Sequence, residues 1–121
     1  MEFDRFTITL LVRGPSAGQV GEAERAALQD AHLAHLADLH EAGHLFAAGP
    51  LGSGNDDEPL RGLSIMGVEP ERALALKEAD AAVQAGVFSV RVLPWMVPAG
   101  AITFSPTRFP RSVRDVVGGG G

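Results

Sequence analysis

A histidine and an aspartate stand on two helical stripes that are otherwise apolar. In the first helical segment, the spacing of one helix face joins Leu28, His32, His35, Leu36 and Leu39. In the second segment, the same kind of spacing joins Ala73, Leu76, Asp80 and Val83. A buried imidazole or carboxylate is costly unless it is paired, so we expect His32 and Asp80 to meet between the helices. A histidine paired with a carboxylate is the smallest set of side chains that can carry out acid–base catalysis.

Two interpretations of this pair are open from the residues alone. In the first, Asp80 holds His32 in one tautomer, and the imidazole acts as a general base or acid. In the second, the pair is an inert polar link between two helices. The expected place of Asp80, near the end of its helix, is slightly disfavoured by the helix dipole. We therefore expect its carboxylate to serve a partner rather than its own helix.

Composition narrows the class of protein. The 121 residues are enough for one domain with a single core, and 45% hydrophobic with 21% charged residues is typical of a globular chain. The net charge of −5 argues against nucleic acid or an anionic membrane as partner. The absence of cysteine excludes disulfides, thiolate metal sites and a cysteine nucleophile. With neither a signal peptide nor a long apolar run, the chain is predicted to be cytoplasmic.

The elements that must position the pair follow from periodicity and from turn residues. Strands are predicted at about residues 6–12, 44–51, 62–68 and 87–97, and helices at about 22–42 and 70–85. Gly43 and Gly86 are the expected caps that end the helices, and Pro70 opens the second one. The order β-α-β-β-α-β predicts an α+β, ferredoxin-like domain over residues 1–97, with a four-stranded antiparallel sheet and both helices on one face. Residues 98–121 form a C-terminal extension, predicted to dock on its own subunit or a neighbour and to end in a mobile glycine run.

The alternation of the first and last strands predicts which side chains lie under the helices. The apolar sets are Phe6, Ile8, Leu10 and Val12 in the first strand, and Phe88, Val90 and Val92 in the last. The alternate sets are more mixed, and they are Thr7, Thr9, Leu11 and Ser89, Arg91, Leu93, Trp95. We expect this second face to be a pocket wall, a dimer interface, or both. Arg91 is the predicted contact for an anionic substrate there, with a salt bridge as the alternative.

Four blocks of the sequence resemble a known family. They are AHLAHL at 31–36 with LHEAGHL at 39–45, AGPL at 48–51, AD at 79–80 with AGV at 85–87, and PW at 94–95. In order and spacing they are similar to a YciI-like, or YCII-related, domain over about residues 4–97. The resemblance implies a ferredoxin-like subunit that pairs as a dimeric α/β barrel, with His32 and Asp80 as its suspected catalytic residues. Ala81 and Ala82 depart from the proline and aromatic usual in the family, which implies a wider pocket or a different substrate.

Rival sites have weaker signals. The four histidines His32, His35, His40 and His44 invite a metal hypothesis, but no HExxH pattern is present, and solvated side chains explain the last two more simply. The segment GPSAG at 14–18 lacks the lysine of a phosphate loop and is predicted to be a strand-to-helix turn. The acidic run at 56–58 is predicted to be solvated rather than to hold a cation.

The leading prediction is a cofactor-independent enzyme that acts on a small molecule by proton transfer, in an elimination, dehydration or isomerisation. His32 is its base or acid, and Asp80 orients it. The alternative is a non-catalytic ligand-binding or accessory protein of the same fold, and a third possibility by fold analogy is a cofactor-free oxygenase. The predicted partners are a small-molecule substrate and a second copy of the chain, with no nucleic acid, no membrane, no metal and no cofactor.

Overall fold

Four strands form one antiparallel sheet, and helices cover one of its faces. A computed structural model describes residues 1–52 and 58–118. The strands are β1 (Phe3–Arg13), β2 (Leu45–Pro50), β3 (Leu60–Met66) and β4 (Phe88–Pro98). The helices are α1 (Glu22–Glu41), α2 (Pro70–Glu78), α3 (Ala81–Gln84) and α4 (Val113–Gly118). No helix in these described ranges is long and apolar enough to cross a membrane.

The sheet has the strand order β2-β3-β1-β4, and all three pairings are antiparallel. Together with the element order this confirms the predicted ferredoxin-like α+β architecture. The loop after β1 is tied to the end of α3, because the amide of Gly14 donates to Val87 O at 2.8 Å and that of Ser16 donates to Gly86 O at 2.9 Å. A Cβ on Gly14 would lie 2.2 Å from Gly86 O, so only glycine fits this approach. The segment is the strand-to-helix turn that the sequence predicts.

The predicted second helix is in fact two helices. It ends at Glu78, and Asp80 is extended, with φ −67° and ψ 130°, before α3 begins at Ala81. The expectation that Asp80 lies inside a helix, with nothing to gain from its position, is therefore wrong. Aspartate favours the N-cap position because its carboxylate accepts a backbone N–H of the new helix, and Asp80 accepts the amide of Ala82 at 2.9 Å.

The sequence analysis predicted which side chains of β1 and β4 lie under the helices, and this prediction is correct for β4 and wrong for β1. Directly opposed residues share a face, and β1 pairs with β4 as Leu11↔Val90 and Thr9↔Val92. The buried residues of β1 are Thr7, Thr9 and Leu11, so these lie under the helices together with Val90 and Val92. Burying the threonines is tolerated because both hydroxyls are satisfied: Thr7 donates to Val68 O at 2.6 Å, and Thr9 hydrogen-bonds Ser64.

The opposite side of the sheet, here called the open face, is consequently the more apolar one along β1. Its residues at the paired positions 6–12 of β1 and 89–95 of β4 are Phe6, Ile8, Leu10, Val12, Ser89, Arg91, Leu93 and Trp95. The core under the helices centres on Leu39, Leu45, Met66 and Ala73.

The C-terminal extension docks on its own chain. Phe104 contacts Phe6 and Phe46, with ring centroids 5.6 and 5.1 Å apart, and Phe109 stacks on His40 at 4.1 Å. Arg111 then pairs with Asp38 and Glu41 of α1, at N–O distances of 2.9 and 2.7 Å. The extension is thus held to α1 by one aromatic stack and by exposed ion pairs. The acidic positions 56 and 57 and the last three glycines lie outside the described residues.

Candidate active site

His32 and Asp80 form the contact that their sequence positions predict. The Nδ1 atom of His32 lies 2.5 Å from Oδ2 of Asp80, and the two side chains join α1 to the start of α3. His32 is 7% exposed and Asp80 is 1% exposed. A carboxylate only accepts hydrogen bonds, so Nδ1 of His32 is the donor. In the neutral imidazole this leaves the lone pair on Nε2.

Both carboxylate oxygens of Asp80 are used. Oδ2 accepts from His32, and Oδ1 accepts from the amide of Ala82. Burial alone raises the pKa of Asp80, but the hydrogen bond and charge of His32, with the Ala82 amide, outweigh it and hold that pKa below its usual range. The carboxylate therefore stays ionised and is fixed in orientation by α3. The helix start that the sequence did not reveal is what positions it.

His32 stands on the wall of a cavity of about 480 Å³. The cavity lies between the sheet, α1 and the C-terminal extension, within the size range of small-molecule sites. Most of its lining is apolar, and it includes Leu11, Leu33, Leu36, Phe88, Phe109 and Val113. The ring of Phe88 lies against the His32 imidazole, with centroids 5.3 Å apart. The extension after residue 97 therefore supplies part of the wall.

A buried lysine, which the sequence analysis missed, lines the same cavity. Lys77 lies on α2, one turn before Asp80, and is 1% exposed. Burial lowers its pKa from 10.5 to about 8, against the opposing charge of Asp80. Its spacing of four residues from the buried Ala73 was the available signal, because it places Lys77 on the inner side of α2.

Two of the other histidines, His35 and His40, have structural contacts. His35 Nε2 donates to Leu76 O at 2.8 Å. His40 Nδ1 donates to Leu45 O at 2.6 Å, and its Nε2 accepts the amide of Thr107 at 3.3 Å. The interpretation of His40 as a solvated side chain is therefore wrong. Within residues 1–52 and 58–118, no group of three or more histidine or acidic side chains is placed to hold a metal ion.

Arg91 lies away from His32 and Asp80, on the other face of the sheet. It is exposed and lies opposite Leu10 on the open face, whereas the cavity is on the helix side of the sheet. The contact with an anionic substrate that the sequence predicts for Arg91 therefore has no counterpart in this cavity within one subunit. The cations that line the cavity are Lys77 and Arg61 instead.

The family follows from a comparison with known domains. A model of the YCII-related domain matches residues 9–96, which include the second half of β1, the strands β2 and β3, the helices α1 to α3 and nearly all of β4. The chain belongs to the YCII-related domain family. The match ends before the C-terminal extension of this YCII-related protein. No curated protein matches the chain.

Two solved structures are similar to this YCII-related protein. One is 5-chloro-2-hydroxyhydroquinone dehydrochlorinase (TftG) from Burkholderia phenoliruptrix AC1100, in complex with 2,5-dihydroxybenzoquinone. It is 27% identical over 74% of this chain and 92% of its own, with a TM-score of 0.50. The other is a dimeric protein of unknown function with a ferredoxin-like fold from Bacteroides fragilis NCTC 9343. It is 11% identical over 78% of this chain and 97% of its own, with a TM-score of 0.52, and supports the fold alone.

Proposed function

We propose that this YCII-related protein is a small-molecule enzyme that works by proton transfer, with His32 as general base and Asp80 as its positioning residue. The observation that carries the proposal is the buried His32–Asp80 hydrogen bond on the wall of an apolar cavity. Two ionisable groups are seldom buried without a function or a strong partner. Here each is the partner of the other, and His32 retains one ring nitrogen for a ligand.

In the proposed reaction, Nε2 of His32 accepts a proton from the substrate. The electron pair of the broken bond forms a new double bond, and a leaving group departs with its own electron pair. No net oxidation occurs, so neither an oxidant nor a reductant is consumed. The Asp80 carboxylate stabilises the imidazolium that forms and keeps the ring in one orientation. An isomerisation uses the same first step and returns the proton to another atom.

The dehydrochlorinase supports an elimination in particular. Its name describes the loss of hydrogen chloride from a hydroxylated ring, and it is 27% identical in sequence to this chain over 74% of this chain. The apolar cavity here has room for a single substituted ring. We therefore infer that the substrate belongs to the same broad class of small, ring-containing molecules.

The test is chloride release from 5-chloro-2-hydroxyhydroquinone under anaerobic conditions. His32→Gln retains a donor for Asp80 but has no basic nitrogen, so we expect its rate to fall by about 10²–10⁴-fold. His35→Gln is the matched control, because it removes an imidazole one turn away that hydrogen-bonds the Leu76 carbonyl and does not line the cavity. We expect this control to keep its rate within about threefold. Equal rates for wild type and His32→Gln would contradict the assignment, and ligand binding by a wild type that never turns over would favour the non-catalytic alternative.

We also propose that two copies of the chain pair through their open faces. Leu93 is 38% exposed there, next to half-buried Ile8 and Leu10 of β1. Apolar side chains at this density favour an interface. Sedimentation velocity is expected to show a dimer for wild type and a monomer for Leu93→Asp, with Arg72→Asp on the exposed side of α2 as control. A monomeric wild type would contradict the pairing.

A further inference from the structure

Lys77 is a buried cation with a place on the cavity wall. It is 1% exposed and lies on α2, three residues before Asp80. A lysine is almost never fully buried unless it is paired, because burial removes the hydration of its ammonium group. Packing alone therefore does not explain why a lysine is buried at this position.

Nothing in the described parts of the chain pairs with this ammonium group. No hydrogen bond or ion pair within residues 1–52 and 58–118 involves the Lys77 side chain, and its one resolved charge interaction is the longer-range attraction of Asp80. At the same time, no buried side-chain nitrogen in these ranges is sealed off without a partner. The Lys77 nitrogen is therefore open to the cavity that its side chain lines.

The ionisable side chains that line the cavity within residues 1–52 and 58–118 are all basic. They are His32, Arg61 and Lys77, and no acidic side chain of these ranges is among them. Asp80 lies behind His32, where both of its oxygens are already occupied. Such a wall attracts a ligand with negative charge. Apart from Gln29 and Ser64, the other side chains of the lining are apolar, which suits a hydrocarbon ring.

We propose that Lys77 is the substrate-binding cation of this cavity and that its ligand is an apolar, ring-sized molecule with an anionic oxygen, such as a phenolate or an enolate. The proposal rests on the proposed function for the role of His32 in the same cavity. When His32 removes a proton from the neutral phenol or ketone form of such a molecule, the negative charge of the resulting phenolate or enolate lies on the ligand oxygen. The Lys77 ammonium then donates a hydrogen bond to that oxygen and neither gains nor loses a proton itself. A charge-assisted bond of this kind strengthens as the negative charge develops.

The test measures binding rather than turnover, with 4-nitrophenolate as the anionic probe and 4-nitroanisole as its neutral counterpart. Lys77→Met replaces the ammonium with an apolar side chain of similar length. Arg72→Met is the matched control, because it removes one positive charge from the exposed side of the same helix. His32→Gln is titrated in parallel, and urea unfolding checks that all variants fold.

We expect Lys77→Met to weaken 4-nitrophenolate binding by at least about tenfold, the usual size of a lost hydrogen bond to a charged group. Binding of 4-nitroanisole is expected to change by less than about twofold, and Arg72→Met is expected to match wild type. No binding of the phenolate by wild type at millimolar concentration, an equal loss for both probes, or a loss in Arg61→Met without one in Lys77→Met overturns the proposal. Failure of the proposed function alone has a different signature: His32→Gln still binds the phenolate in a Lys77-dependent way, while chloride release does not depend on His32.

Discussion

The substitution Asp80→Asn separates the chemistry of the pair from its role in the fold. Asparagine is about as good an N-cap as aspartate, so α3 is retained. The amide, however, has one oxygen where the carboxylate has two, and both carboxylate oxygens are in use. If the amide oxygen accepts from Ala82, as Oδ1 does at 2.9 Å, the NH₂ group faces His32 and donates to Nδ1. The proton of the imidazole then moves to Nε2, and the nitrogen left for the ligand is no longer a base.

The size of the effect follows from this geometry. Turning the amide over restores the active tautomer but sets NH₂ against the Ala82 amide, which leaves two buried donors facing each other. An unsatisfied buried group costs about 1–3 kcal/mol, so the active tautomer becomes about 5- to 150-fold rarer. Loss of the charge on Asp80 removes a further 1.5–3 kcal/mol or so from the imidazolium, a factor of about 10 to 150. Together the two terms lower the rate by roughly 10²–10⁴-fold, in the range known for the same change in a serine-protease triad.

The assay is single-turnover chloride release, run beside urea unfolding of each variant. Asp80→Asn is expected to lose activity while α3 stays capped, so that it loses only the stability that the charge of Asp80 contributes. Asp80→Ala is the comparison, because it removes the cap as well and is expected to cost about 1–2 kcal/mol of unfolding free energy. A rate for Asp80→Asn within about threefold of the wild-type rate would show that the reaction depends neither on the tautomer that Asp80 sets in His32 nor on the charge of Asp80.

Three further predictions concern pH and the cavity wall. The pKa of Lys77 is lowered from 10.5 to about 8. Between these two pH values the folded protein therefore binds fewer protons than the unfolded chain does. The unfolding free energy of wild type should then rise with pH by about 3 kcal/mol over this window, relative to that of Lys77→Met. Denaturation at several pH values measures this, with Asp80, His32 and His35 as the nearby titratable groups, and a constant difference between the two proteins would contradict it. The pKa of Asp80 is lowered from 3.8, so the stability that its charge contributes is present above pH 3.8 and is lost as the pH falls through the folded pKa. The unfolding free energies of wild type and Asp80→Asn should therefore converge in acid. A difference between the two that grows in acid would contradict this prediction. Phe109→Ala removes the ring that stacks on His40 and lines the cavity. We expect this change to lower the unfolding free energy by about 2 kcal/mol and to weaken the binding of 4-nitroanisole, as measured by urea unfolding and by titration. Unchanged binding would show that the extension is not part of the cavity wall.

The architecture was predictable because its signals are local. Gly43 and Gly86 have positive φ values of 85° and 76°, where a helix must end and only glycine is unstrained. Strand order then follows from the βαββαβ sequence of elements. The meeting of His32 and Asp80 was predictable for a related reason: two ionisable groups on apolar stripes have few ways to be satisfied except by each other.

The errors have equally specific causes. In β1 the more hydrophobic set of residues is not the set under the helices, because Thr7 and Thr9 satisfy their hydroxyls through Val68 and Ser64, contacts that no pattern within β1 reveals. The break before Asp80 was missed because Ala79 and Ala81 continue a helical pattern on either side of a good N-cap residue. Lys77 was missed because lysine is normally a surface residue, and its burial depends on a cavity formed by distant segments.

The tautomer of the neutral His32 ring decides whether His32 can act as the base, because base catalysis requires an unprotonated ring nitrogen that faces the cavity. Long-range ¹H–¹⁵N spectra of the imidazole side chains, with His32→Gln to assign the signals, report which ring nitrogen carries the proton. We predict a proton on Nδ1 in wild type, an unprotonated Nε2 whose shift moves when 4-nitrophenolate is added, and the opposite tautomer in Asp80→Asn. A proton on Nε2 in the neutral ring of wild type would contradict the account, because the nitrogen left for the ligand would then have no lone pair to accept a proton.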